Sequence, residues 1–267
     1  VLDDATIREL AAELHEAERS GVQTKQFSQR FPDIAFEDSY RVQREWMRIK
    51  LAEGRRKIGR KIGLTSRAMQ KIANITEPDY GVLLDDMVIA DGSTVAPGRF
   101  IQPFVEVELA FVLNKDLGGP DVSIFDVLGA TEWVVPAVEI IDARIERIDP
   151  ETGSQRRVLD TIADNAANAG IVVGSSPVRP DALDLRWVGA ALLKNGVVEE
   201  TGVGAGVLNH PAKGIVWLAR KLSAWDEYLA AGELVLAGSF TRIVPVESGD
   251  QICADYGPLG TINVRFE

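Results

Sequence analysis

Three glutamates sit where a charge is costly to keep. In Phe104-Val105-Glu106-Val107-Glu108-Leu109-Ala110-Phe111-Val112-Leu113, strand alternation puts Val105, Val107, Leu109, Phe111 and Leu113 on one face and Glu106 and Glu108 on the other. Same-face neighbours on a strand lie about 7 Å apart at the backbone, so the two carboxylates can converge. Glu139 is the one charge in Val134-Val135-Pro136-Ala137-Val138-Glu139-Ile140-Ile141. Ionised carboxylates on buried faces repel one another and lose hydration. Protonation, a basic partner or a shared cation would each relieve them. All-oxygen ligation selects Mg²⁺ or Mn²⁺ over zinc, which prefers His and Cys. The alternative is an exposed sheet face for Glu106 and Glu108, with Glu139 paired to an arginine.

Lys61 differs from the other cations of Arg55-Arg56-Lys57-Ile58-Gly59-Arg60-Lys61-Ile62-Gly63, because it enters a glycine-bearing turn before Leu64-Thr65-Ser66. Desolvated beside a metal, such a lysine is expected to have a lowered pKa and to move protons; otherwise it is an ordinary surface lysine. His15 falls on the polar side of a helix, and His210, just before Pro211, suits a helix cap, with a site residue as the alternative. The single Cys253 excludes an internal disulfide, suits a reducing compartment and is read as a buried thiol. Gly202-Val203-Gly204-Ala205-Gly206 lacks the dinucleotide spacing, and no phosphate-loop motif is present.

The elements that must carry these residues read as helices first, then a mostly β body, an α+β order. Ile7, Leu10, Ala11, Leu14 and Ala17 recur at helical spacing between a possible Asp3 or Asp4 cap and Gly21. A second helix runs from Glu37 towards Gly54 with Tyr40, Val42, Trp46 and Ile49 inward. Strands are predicted at 57–64, 105–113 and 134–141, a loop at 77–81, and short helices at 123–129 and 161–168. Asn195-Gly196 marks a hairpin turn. Pro211 opens a helix to about Tyr228, and strands fill the rest. The division is an N-terminal helical region, 1–55, and a catalytic β-rich domain, 56–267.

With 267 residues and 46% hydrophobic content the chain can bury a large core, and its net charge of −11 repels nucleic acid. An acidic protein that takes an anionic ligand must gather positive charge locally. No apolar run is long enough to span a bilayer. The opening Val1-Leu2-Asp3-Asp4 lacks a basic-then-apolar leader, so a cytoplasmic location is expected.

Several segments resemble the hydratase/decarboxylase branch of the fumarylacetoacetate hydrolase superfamily across the whole chain. They are Lys61-Ile62-Gly63-Leu64-Thr65-Ser66, Glu77-Pro78-Asp79-Tyr80-Gly81-Val82-Leu83-Leu84-Asp85-Asp86-Met87, Val105 to Phe111, Asp164-Asn165-Ala166-Ala167-Asn168-Ala169-Gly170, Asn209-His210-Pro211 and Gly238-Ser239-Phe240-Thr241. The Asp149-Pro150-Glu151-Thr152-Gly153 loop favours a hydratase within that branch. The resemblance implies a mixed β-sheet body around Mg²⁺ held by Glu106, Glu108 and Glu139, with Mn²⁺ possible. It implies Lys61 and Asp79 as acid/base groups, and Ser66, Ser239 and Thr241 as substrate-binding groups. The implied reaction is hydration of a small 2-oxo dicarboxylate. Metal-dependent decarboxylation of a 4-oxalocrotonate-type acid is the alternative, and a non-catalytic dicarboxylate binder the reading from another class. It further implies a pentameric or decameric homo-oligomer. Arg67, Arg144 and Arg242 are candidates for a distal carboxylate.

Overall fold

The computed structural model describes residues 1–72 and 74–267. Helix α1 (Asp4–Ser20) begins where Asp3 accepts the Thr6 N–H at 2.8 Å and ends at Gly21 in the left-handed region. After a single turn, α2 (Phe27–Arg30), comes α3 (Phe36–Ala52). Ile7, Leu10 and Leu14 of α1 and Val42, Trp46 and Met47 of α3 form a core of their own with Val82 and Leu84. That is the amphipathic packing their spacing predicts.

The remaining helices are α4 (Arg67–Ile72), α5 (Ile124–Ala130), α6 (Val158–Ala163) and α7 (Ala212–Ser223). The strands are β1 (Lys57–Gly63), β2 (Asp79–Leu84), β3 (Val88–Ile89), β4 (Thr94–Val95), β5 (Phe104–Leu113), β6 (Thr131–Ile141), β7 (Asn168–Val173), β8 (Gly189–Lys194), β9 (Val197–Val203), β10 (Leu234–Leu236), β11 (Val244–Pro245), β12 (Gln251–Asp255) and β13 (Thr261–Phe266). An eight-stranded mixed sheet has the order β2-β1-β10-β5-β6-β7-β3, with β11 also on β5, and a five-stranded sheet the order β4-β13-β12-β8-β9. The apolar face of β5 and β6 (Val105, Val107, Leu109, Val138, Ile140) joins Ile252, Ala254, Ile262 and Val264 of the smaller sheet in the main core. Among the described residues no helix is long and apolar enough to cross a membrane.

Several boundaries differ from the sequence expectation. Residues 79–81 are strand rather than loop, since Gly63 faces Asp79 and Lys61 faces Gly81 across β1 and β2; pairing overrides the Pro and Gly signals. The helix expected at 161–168 stops at Ala163. Asn165, Ala166 and Ala167 follow with φ of 54°, 50° and 63°, and Asn168 opens β7. The Asn165 side chain holds this turn open by bonding both Val82 N and Val82 O, at 2.7 and 2.9 Å. Helix α7 ends at Ser223, and Cys253 is half-buried rather than sealed. The Asn195-Gly196 hairpin forms with φ of 53° and 80°.

Candidate metal centre and active site

Register alone places the site. Glu106 lies opposite Glu139 across β5 and β6, and Glu108 two residues on. Leu236 of β10 lies opposite Ala110 on one side and Lys61 on the other, and Gly63 opposite Asp79. Following that pairing, Lys61, Asp79, Glu106, Glu108 and Glu139 all project from one face of the larger sheet. Its floor is apolar, made of Leu83, Ala110, Ala137, Ile171 and Leu236.

One oxygen from each of Glu106, Glu108 and Glu139 lies within 4.8 Å of the others. Glu108 and Glu139 are sealed from solvent, and Glu106 is partly open. Glu139 Oε1 is already occupied, receiving Asn168 Nδ2 at 2.8 Å and Lys61 Nζ at 3.2 Å. Glu108 Oε2 receives the Gly238 N–H at 2.8 Å. The other oxygens, Glu108 Oε1 and Glu139 Oε2, are buried without a hydrogen-bond partner. Orphaned buried carboxylate oxygens are rare because they forfeit hydration with no return. Two of them in one all-oxygen cluster fit a hard divalent cation.

The electrostatics agree. Burial, then the charge of Glu139, pushes Glu106 up to about 8. Burial, then the charges of Glu139 and Glu106, push Glu108 well above the usual carboxylate range. Asp79 is raised by burial and held back by Lys61, and its Oδ1 has no partner. Lys61 departs from the expected lowering. Burial does oppose its charge, but Glu139, Asp79, Glu106 and Glu108 together overcome that and raise it. Without a cation the lysine is locked as ammonium between Glu139 and the Ala166 carbonyl, 2.9 Å away.

Two glycines make room. A Cβ on Gly63 would lie 2.2 Å from Asp79 Oδ1 and 3.2 Å from Lys61 Nζ. Gly238, with φ of 112°, faces Thr65 where a Cβ would meet Oγ1 at 2.3 Å. Ser239 Oγ lies 3.2 Å from Val107 O and 3.0 Å from Thr241 O, and Thr241 Oγ1 accepts Val107 N–H at 3.4 Å. Both hydroxyls therefore sit at the Glu106 end of β5. Ser66 is half-buried one residue beyond Thr65, where its carbonyl receives Gln70 N–H at 2.9 Å.

Of the arginine candidates, Arg144 is consumed: it is fully buried and bonds Asp164 Oδ1, Asp164 O and Asn168 O at 2.6, 2.9 and 2.9 Å. Arg242 points outward against Glu200, and Arg67 is exposed at the start of α4. His210 caps α7, its Nδ1 receiving Ala212 N–H at 3.1 Å, and His15 pairs with Glu53.

Sequence reasoning missed Asn168 and Tyr256. The Tyr256 hydroxyl, from beyond the end of β12, receives Glu108 N–H at 3.1 Å and lies 2.9 Å from Glu108 O and 2.5 Å from Ala137 O. It ties the backbone of Glu108, one of the two sealed glutamates, to the neighbouring strand. No motif near Tyr256 announces this, because the link crosses 148 residues. Tyr256→Phe leaves those carbonyls short of a donor. The expected cost is about 1–3 kcal/mol in a denaturant melt and roughly tenfold weaker divalent-cation binding by titration calorimetry. Unchanged cation affinity would remove Tyr256 from this role.

The model of the Fumarylacetoacetate (FAA) hydrolase C-terminal family matches residues 50–267. The chain is 55% identical over 266 residues, all of both chains, to the 2-oxo-hept-4-ene-1,7-dioate hydratase of Escherichia coli. It is 38% identical to the 2-hydroxyhexa-2,4-dienoate hydratase of Comamonas testosteroni, covering 95% of this chain and 94% of that one. The solved 4-oxalocrotonate decarboxylase from Pseudomonas putida G7, complexed with magnesium and adipate, superposes with TM-score 0.95 at 34% identity over 100% of this chain and 99% of that one. By the family model's match, the full-length similarity and the superposition, the chain belongs to the fumarylacetoacetate hydrolase family, with that family's α+β fold.

Proposed function

We propose that the protein is a magnesium-dependent hydro-lyase that hydrates 2-oxo-hept-4-ene-1,7-dioate to 4-hydroxy-2-oxoheptane-1,7-dioate. The observation that carries this is a lysine and three converging glutamates on one buried sheet face, two with unpartnered oxygens. The full-length similarity to a hydratase of that substrate supports its identity. Glu106, Glu108 and Glu139 hold Mg²⁺, or Mn²⁺ in its place. Bound there, the ion would neutralise the substrate's head carboxylate, polarise its 2-oxo group and cancel the carboxylate field on Lys61.

This chain's own groups do the rest. Lys61 takes a proton from C3 and returns one to C5, moving the double bond into conjugation. Asp79, across Gly63 from Lys61, orients the water that adds at C4 while a proton is delivered to C3. Ser66, Ser239 and Thr241 donate hydrogen bonds to the substrate's carboxylate end. The catalytic part is residues 56–267, with 1–55 a helical support. The setting is homoprotocatechuate (4-hydroxyphenylacetate) meta-cleavage catabolism in the cytoplasm, by a homo-oligomer.

Decarboxylation of a 4-oxalocrotonate-type acid is the second reading, favoured by the similarity to the decarboxylase structure. The two separate on product. With Mg²⁺ and the seven-carbon 2-oxo-enedioate, the conjugated chromophore should disappear without gas. Stoichiometric CO₂ release would transfer the assignment to the decarboxylase.

A further inference from the structure

We propose that Arg147, with Arg156 beside it, forms the subsite for the carboxylate at the far end of the substrate. This deepens the hydratase reading and rests on it for the identity of the ligand. The argument begins with where the site opens. Glu108 and Glu139 are sealed, whereas Glu106 is partly exposed and Phe104 lies beyond it on the same face of β5. Along β5, the cluster is therefore least covered towards Phe104. The Arg147 guanidinium lies over the Phe104 ring, 4.4 Å from its centroid. Phe104 and Glu106 are about 7 Å apart along the strand, a span comparable to an extended seven-carbon chain.

The second observation is the poor pairing of Arg147. Among the described residues it has no ion-pair partner; its Nη2 reaches only Gln102 O at 3.4 Å, and its buried Nε has none. The two acids whose charge reaches it, Asp142 and Asp164, are committed elsewhere, as is Asp160. Asp142 accepts the N–H groups of Ile101, Gln102 and Ala143 at 2.7, 2.6 and 2.8 Å. Asp164 is taken by Arg144 at 2.6 Å and shared with Arg156 at 3.3 Å. Asp160 is bound by Ser28 and the Arg157 N–H. Burial, then repulsion from Arg156, pushes Arg147 down to about 10. An arginine so placed in a protein of net charge −11 lacks an anion, and guanidinium matches a carboxylate in shape and charge.

The local chain is built to hold the pair. Arg156 N–H donates to Arg147 O at 2.9 Å, and Ile148 bridges Gln155. Asp149 Oδ1 closes the hairpin tip by accepting the N–H of Glu151 and Thr152 at 2.8 and 2.9 Å. Arg156 also lies close enough for its charge to lower Asp79 against the burial that raises it.

The test uses the Mg²⁺-loaded full chain and three unreactive ligands, measured by calorimetry. 2-Oxopimelate, with seven carbons, carries a distal carboxylate, 2-oxoheptanoate lacks it, and oxalate reports on the head-group site alone. Wild type should bind 2-oxopimelate roughly 10–100-fold tighter than 2-oxoheptanoate, the worth of a charged hydrogen-bonded contact. In Arg147→Met, which keeps an apolar stem over Phe104, that ratio should fall towards one, and Arg147→Lys should restore part of it. A wild-type ratio near one, or a ratio untouched by Arg147→Met, would overturn the subsite. Failure of oxalate to bind wild type counts instead against the metal-dependent hydratase and leaves the ratio to judge Arg147.

Discussion

Glu108→Gln should make the chelator-treated protein more stable while abolishing its response to Mg²⁺. Glu108 is fully buried, has one orphaned oxygen and is pushed up by burial and by Glu139 and Glu106. The amide needs neither the buried charge nor the proton uptake that burial forces on the carboxyl, which should stabilise the metal-free variant by about 1–3 kcal/mol, a rise of roughly 2–10 °C in melting temperature for a chain of this size. The same change removes a cation ligand, so the gain wild type shows on adding excess Mg²⁺ should vanish. A variant that melts lower without metal, or keeps the Mg²⁺ gain, would refute the shared-cation site. A pH series gives an independent check. Glu106 moves from 4.5 to about 8 on folding, so the folded protein holds its proton more tightly than the unfolded chain. Its contribution is full below about pH 4.5 and is lost as pH rises through 8. Metal-free Glu106→Gln should therefore lose less stability than wild type between pH 5 and 8, by melting curves.

Lys61→Met should lower kcat by about 10²–10⁴-fold, the usual worth of a positioned acid/base group, without weakening cation or oxalate binding. The lysine touches Glu139 Oε1, not the orphaned Oε2, so its removal takes a competing cation away from the cluster. Steady-state turnover with calorimetric Mg²⁺ and oxalate titrations would decide it. Retained turnover would move the proton-transfer role to another group, and lost metal affinity would make Lys61 a structural strut.

The glutamate cluster was legible because a charge in a two-faced apolar strand is anomalous on its own terms, and strand register did the rest. Lys61 was legible as a position but not in its charge state, since the raising field comes from Asp79, Glu106, Glu108 and Glu139 on three other strands. Asn165-Ala166-Ala167 was misread as helix because local propensity favours it; the Val82 contact that turns it lies 83 residues away. Tyr256 and Arg147 carried no local signature. What marks them is a missing or a distant partner, which no window of sequence contains.

The bridge between the lysine strand and the glutamate strands is only three residues, Leu234 to Leu236, entering from late in the chain. Until they are synthesised, the β1–β2 ribbon has no hydrogen-bonded link to β5 within the sheet. Contacts this distant in sequence slow folding. The acidic strands can pair with each other and with β7 well before that, but the lysine strand joins them only once Leu234 to Leu236 have emerged, so the glutamates must wait for their ammonium partner.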